Sequence, residues 1–223
     1  MLFTSEIFIF LFLPLVIIIN LLLGERYRNI FLLTASLFFY AWGEPKFVLF
    51  LIASIGANYY FGIALEKGKH SKLIVGVAVF FNLGLLMFFK YSNFVVDNLN
   101  DILIALEVNK INFAHIELPI GISFFTFHAM SYVIDVYRKE ASAQKNPIDI
   151  MLYISFFPQL IAGPIIRYHD IAKQITHRVI TSEKMAYGIK RFIIGFAKKM
   201  MIANNMGFVA DKIFALETSS LTV

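Results

Sequence analysis

Long apolar runs alternate with short polar joints along this chain. Ile7–Leu23, Phe47–Leu65 and Leu73–Phe89 are almost free of charge, and Ile30–Trp42 is a shorter run of the same kind. A bilayer span needs about 20 apolar residues, so the pattern predicts four membrane helices, the second tilted or starting nearer Tyr27. The joints carry the polar residues: Arg26 and Arg28, the tight turn Gly43-Glu-Pro-Lys46, and the basic loop of Lys67, Lys69, His70 and Lys72. The leader Met1–Glu6 has no Lys or Arg, a poor signal-peptide start, so the first helix is read as retained. Tyr91–Glu117 reads as the longest piece outside the membrane. Leu118–Tyr137 is the next crossing, with Pro119 accommodated in its first turn. Ile150–Ile166 is interrupted by Pro158 and by Gly163-Pro164, which predicts a broken or re-entrant helix.

The pattern changes towards the end of the chain. In Lys184–Met201, Met185, Ile189, Phe192, Ile193, Phe196 and Met200 fall on one helical face, and Lys184, Lys190, Arg191, Lys198 and Lys199 on the other. That pattern reads first as a basic amphipathic helix lying on the inner leaflet and second as a protein-packed helix with a solvated edge. Ile202–Leu216 is apolar but broken up by Asn204, Asn205, Asp211 and Lys212. No internal repeat and no low-complexity linker is visible. The expected fold is all-α: one polytopic transmembrane helical bundle over 1–223, with a broken or re-entrant helix and an interfacial amphipathic helix.

Composition agrees. The chain is 59% hydrophobic and 16% charged with a mean hydropathy of +0.72, more apolar than a soluble domain of 223 residues needs. Its 25 Phe and 10 Tyr suit lipid-facing and interfacial surfaces. The absence of cysteine excludes disulfides, a thiolate nucleophile and Cys-ligated metals. The net charge of +5 sits in loops between apolar runs, which fits anionic lipid and membrane topology and argues against nucleic acid. Counting Lys and Arg by loop places the N-terminus outside, with Arg26, Arg28, Lys67, Lys69, Lys72, Arg138, Lys139 and Lys145 inside.

Chemistry concentrates in two segments. Along Leu118–Arg138 the polar residues His128, Ser131, Asp135 and Arg138 share a wedge about 80° wide at 100° per residue. Such a stripe must face protein or a water-filled cavity, because lipid would leave its donors and charges unpaired. His128 would lie about 15 Å into a helix starting at Leu118. It reads first as a core histidine bonded to a neighbouring helix and second as a neutral general base. Asp135 and Arg138 read as a structural ion pair. In Phe157–Arg167, Pro158 and Pro164 free upstream carbonyls, Gly163 admits close approach, and Gln159 can bond across a helix interface. The segment reads equally as the wall of a substrate channel and as a packing kink. Arg167, His169 and Lys173 could meet phosphates at the inner mouth, or be flanking charge. The five histidines have no metal-ligand spacing, and no nucleotide-binding or serine-hydrolase motif occurs.

The opening Met1-Leu-Phe-Thr-Ser-Glu-Ile-Phe-Ile-Phe-Leu-Phe-Leu-Pro14, together with Ser36-Leu-Phe-Phe-Tyr-Ala-Trp-Gly43, Phe88-Phe-Lys-Tyr91 and the two central segments, resembles the membrane-bound O-acyltransferase family, in its bacterial alginate O-acetylase-like branch. The resemblance implies O-acetyl transfer from a cytoplasmic acyl thioester, acetyl-CoA or similar, with no bound cofactor. The acceptor would be an extracytoplasmic polysaccharide or cell-wall glycan. Membrane lipids and extracytoplasmic acetyltransferase proteins would be its partners, and the bacterial cytoplasmic membrane its location. In that family the essential histidine sits in a Trp-His motif of the C-terminal half. The only tryptophan here, Trp42, is not followed by His, so that role does not pass to His128. The chain therefore resembles the N-terminal half of such an enzyme. On this reading Ser131, Asp135, Pro158, Gln159, Gly163 and Pro164 line a substrate channel, and Arg167 and Lys173 contact donor phosphates. The other reading is a non-catalytic remnant or membrane scaffold.

Overall fold

Arg28 sets the first corner of the structure. Its Nε donates to the carbonyls of Asn20 (3.1 Å) and Leu23 (3.0 Å), the free acceptors at the end of the preceding helix. That helix, α1 (Leu13–Leu22), continues a π-helical turn over Ile7–Phe12. It is followed by α2 (Glu25–Gly43), a short 3₁₀ turn, α3 (Val48–Glu66), α4 (Ser71–Ala105), α5 (Ile122–Tyr137), α6 (Pro147–Ser155), α7 (Phe157–Leu160) and α8 (Tyr168–Thr176). The computed structural model describes residues 3–161 and 163–216, and no strand occurs among them. These residues form two compact units, Met1–His177 and Arg178–Val223.

In the first unit, α5 packs on α3 and α4, while α2 packs on α6. The core centres on Tyr40, Leu51, Phe125, Tyr132, Tyr153 and Ile154, all essentially inaccessible. A satellite cluster joins Phe8, Phe39 and Phe157. Close approach of α3 and α5 depends on Gly62: a Cβ there would lie 2.1 Å from the Tyr132 hydroxyl. Across the α3–α4 contact, Asn58 and Asn82 form a closed amide pair (3.0 and 2.7 Å). Each also donates within its own helix, to Ser54 O (2.9 Å) and Ala78 O (2.8 Å). Buried amides at the centre of apolar helices are thereby paired on both sides.

Among the described residues two helices are long and apolar enough to cross a membrane, Pro45–Glu66 and Ser71–Ala105, with Ile7–Leu22 a shorter apolar helix. The fourth helix runs past the expected end at Phe89. Its 35 residues span about 52 Å, well beyond a hydrocarbon thickness of about 30 Å. The reason lies in two asparagines seven positions apart. Asn100 brackets Ile111, accepting from its N–H (2.7 Å) and donating to its C=O (3.2 Å), and Asn93 brackets Ile116 in the same way (3.0 and 2.8 Å). Each amide supplies the partners that a neighbouring strand would, so an extended segment folds back along the helix.

The fifth helix starts later than expected, at Ile122 and not at Leu118. Gly121 is left-handed (φ +76), which ends any helical path from Pro119, and a Cβ on it would sit 2.6 Å from the Leu160 carbonyl. His128 is therefore six residues into its helix, about 9 Å and not 15 Å.

The second unit is one nearly continuous helical rod: α9 (Ser182–Lys198), a π-helical stretch Lys199–Ala203, and α10 (Asn204–Phe214). Thr181 caps it by accepting from Lys184 N (3.2 Å), with Glu183 in the first turn. None of its described residues is buried, and Phe192, Ile193, Met201, Phe208 and Phe214 stand exposed.

Candidate functional site

A helix continued from α6 would drive the Pro158 ring into the carbonyl of Ile154, four residues back. The chain avoids this by turning extended at Phe156 (φ −57, ψ 116) and restarting as α7, with Pro158 in the first turn where no N–H is needed. The break expected at Pro158 thus falls two residues earlier. Side chains take up part of what the break leaves open. Ser36 on α2 accepts from Phe157 N–H (3.2 Å) while donating to Leu32 O (2.7 Å). Gln159 donates from Nε2 to the Tyr153 carbonyl. Ser155 donates to Met151 O (2.7 Å).

After α7 the described residues up to Arg167 form no regular element, and there the stripe on α5 meets them. His128 Nε2 accepts from Ile166 N–H (3.4 Å), Ser131 Oγ from Tyr168 N–H (3.1 Å), and Asp135 Oδ2 from His169 N–H (3.0 Å). Tyr153 donates its hydroxyl to Ile166 O (2.8 Å). Three side chains on one helix face therefore take up three amide protons of one loop, two of them from the start of α8. The α5 spacing of three and four residues matches the rise of that segment past the helix. Buried amide protons need such acceptors.

The geometry also fixes protonation. With Nε2 accepting, the His128 ring is neutral and its proton is on Nδ1, a buried atom with no hydrogen-bond partner. Its acceptor nitrogen is already engaged, so His128 could accept a substrate proton only by releasing Ile166. The Asp135 carboxylate is taken up by His169 (ring Nδ1 to Oδ2 3.1 Å) and not by the expected Arg138, which lies on the exposed end of the helix. Tyr132, Tyr153 and Tyr168 meet edge to face beneath the loop, centroids 4.9 and 5.1 Å apart. Burial, and next the Asp149 carboxylate, push the Tyr168 phenol up to about 12, so it stays neutral at the foot of α8, outside the spanning helices.

Of the residues singled out in the sequence, His128, Ser131 and Asp135 come together on the loop. Gln159 is buried on α7, Gly163 is half-buried, and Pro158, Pro164, Arg167 and Lys173 are exposed. Sequence reasoning passed over Tyr153, Ser36 and the Asn58–Asn82 pair. The amides carried the signal already applied to α5, a polar side chain inside an apolar run. Ser36 and Tyr153 carried none, being ordinary residues of apolar helices.

The sequence profile described as "MBOAT, membrane-bound O-acyltransferase family" matches residues 78–222. The chain is 44% identical to a protein of Pseudomonas aeruginosa named probable alginate O-acetylase AlgI, over 97% of this chain and 42% of that protein. It is 31% identical to the peptidoglycan O-acetyltransferase of Helicobacter pylori, over 98% of this chain and 47% of that one. A shorter similarity, 30% identity over 46% of this chain and 26% of the relative, links it to the teichoic acid D-alanyltransferase of Bacillus subtilis. The chain spans less than half the length of these curated relatives. No solved structure matches it.

Proposed function

The chain belongs to the membrane-bound O-acyltransferase family, and on that premise we propose that it takes part in moving an acyl group, acetyl first among them, from a cytoplasmic thioester to a polysaccharide or cell-wall glycan outside the bacterial cytoplasmic membrane. Relatives named for alginate, peptidoglycan and teichoic acid support a polymeric acceptor. The acceptor is reached directly or through an extracytoplasmic acetyltransferase. The N-terminus lies outside, which puts the loop after α7 and the start of α8 on the thioester side.

The observation that carries this reading is the loop between α7 and α8. Its backbone is bonded by His128, Ser131 and Asp135, yet Arg167 at its end and Lys173 one and a half turns on are exposed. A guanidinium on a fixed backbone is prepared to take phosphate oxygens in a fork of two bonds. In this reading Arg167 and Lys173 hold the donor's phosphates. Pro158, Gln159, Gly163 and Pro164 shape the passage for its acyl arm, and His128 is a positioning residue.

The test is equilibrium binding of acetyl-CoA to the detergent-solubilised chain. Saturable binding, weakened about tenfold in Arg167→Ala by loss of roughly 1.4 kcal/mol of charge-assisted bonding, is the expected result. Absence of saturation up to about millimolar donor, or equal binding by the variant, contradicts it.

A further inference from the structure

The ring of His169 stands among three carboxylates. Its Nε2 is 3.2 Å from Asp170 Oδ1; its Nδ1 is 3.1 Å from Asp135 Oδ2 and 3.6 Å from Glu140 Oε2. A neutral imidazole has one N–H. If Asp170 takes that proton at Nε2, the lone pair of Nδ1 points at two carboxylate oxygens that are themselves lone-pair donors. One ligand atom from each of Asp135, Glu140 and His169 lies within 4.8 Å of the other two. Either a second ring proton or a metal cation shared by the three atoms resolves that opposition.

The separations specify which cation fits. Ligand bonds of about 2.1 Å in a tetrahedron put ligand atoms about 3.4 Å apart, and the 3.1 and 3.6 Å distances bracket that edge. Asp135 is built into the fold, its side chain only 6% exposed and fixed by the amide of His169. The turn after α5 delivers Glu140: Lys139 is left-handed (φ 62), and Glu140 N–H returns to Asp135 O (2.9 Å). Asp170 on the far ring nitrogen completes the carboxylate–histidine arrangement that orients metal-bound imidazoles. One nitrogen among two oxygens favours a borderline first-row ion over Mg²⁺ or Ca²⁺, which take oxygen ligands.

We propose that Asp135, Glu140 and His169 bind one divalent transition-metal ion of the Zn²⁺ or Co²⁺ kind, with water completing the shell. The ion ties the end of α5 to the first turn of α8. This site does not depend on the acyl-transfer reading.

The experiment is titration of tag-free, chelator-treated protein in detergent with Co²⁺ alone, followed by visible ligand-field absorption, with Zn²⁺ then added as competitor. One equivalent should bind with a dissociation constant in the micromolar range or tighter. Zn²⁺ should displace it, and an equal concentration of Mg²⁺ should not. Asp170→Asn should weaken binding about tenfold. Glu140→Gln, an exposed position whose replacement leaves the buried partners in place, should weaken it by at least as much, and His169→Ala should abolish it. No binding at about millimolar Co²⁺ overturns the proposal, because a proton then satisfies the cluster. Binding unchanged in Glu140→Gln, or displacement by Mg²⁺, overturns it equally. If His169→Ala does not fold, the Glu140→Gln and Asp170→Asn titrations decide.

Discussion

Ser131→Ala removes the acceptor that holds the Tyr168 amide. Tyr168 is 2% exposed, so its amide proton, now 3.1 Å from Ser131 Oγ, would have neither water nor protein to bond. An unpaired buried N–H costs about 1–3 kcal/mol. The cost falls on the closed state of the loop, because an open loop hydrates the amide. The free energy of local opening should drop by that amount, which speeds amide exchange about 5- to 150-fold. The side chain also loses its longer contact to Asp135 Oδ2 (3.5 Å) and its hydrogen bond with the Tyr153 hydroxyl, both on the same clamp. Hydrogen–deuterium exchange read by mass spectrometry on peptides covering 163–170 measures the change. Ser155→Ala is the control, since that hydroxyl bonds Met151 O within its own helix. Exchange of the loop in Ser131→Ala equal to that in the parent would mean that the serine does not hold the loop.

Gly62→Ala should destabilise the α3–α5 contact by about 1–3 kcal/mol, seen as a lower unfolding temperature in detergent. The new methyl meets Tyr132 Oη at 2.1 Å and its ring carbons at 2.5 Å. Adding Tyr132→Phe should relieve only part of the loss, because the ring carbons remain. A parent-like unfolding temperature for Gly62→Ala would refute the close approach. Asn82→Leu strands Asn58 without its cross-helix partner, and by the same assay should cost about 1–2 kcal/mol. Asn58→Leu combined with Asn82→Leu should recover most of that loss, and a double variant weaker than either single one would argue against a closed pair.

Much of this molecule could be read from residue pattern alone, for a physical reason. Apolar runs and the rule that lipid does not tolerate unpaired polar groups are local signals, and they yielded the helical membrane fold. They also yielded a stripe facing protein, and a break near Pro158. What pattern reading missed is tertiary. Nothing near Leu118 announces that Leu160 O will press against Gly121 and delay the helix to Ile122. The run after Phe89 is polar enough to look like a loop. It stays helical because Asn93 and Asn100 find backbone 23 and 11 residues away. Asp135 lies close in sequence to Arg138, yet its carboxylate is taken by an amide and a ring 34 residues on. Charge pairing guessed from helical spacing fails when a buried amide competes for the same oxygen.

The face that His128, Ser131 and Asp135 present is best tested by site-directed spin labelling, which the cysteine-free sequence makes clean. Nitroxides at positions 127 and 131 would be compared in a lipid bilayer for collisions with oxygen, which concentrates among acyl chains, and with a water-soluble relaxant. Phe127, one helix turn before Ser131 and about 40° round from it, is 38% exposed, so its label should collide freely with oxygen. The label at 131 should be shielded from both reagents. Equal oxygen accessibility at 127 and 131 would place the stripe against lipid and remove the basis for the clamped loop.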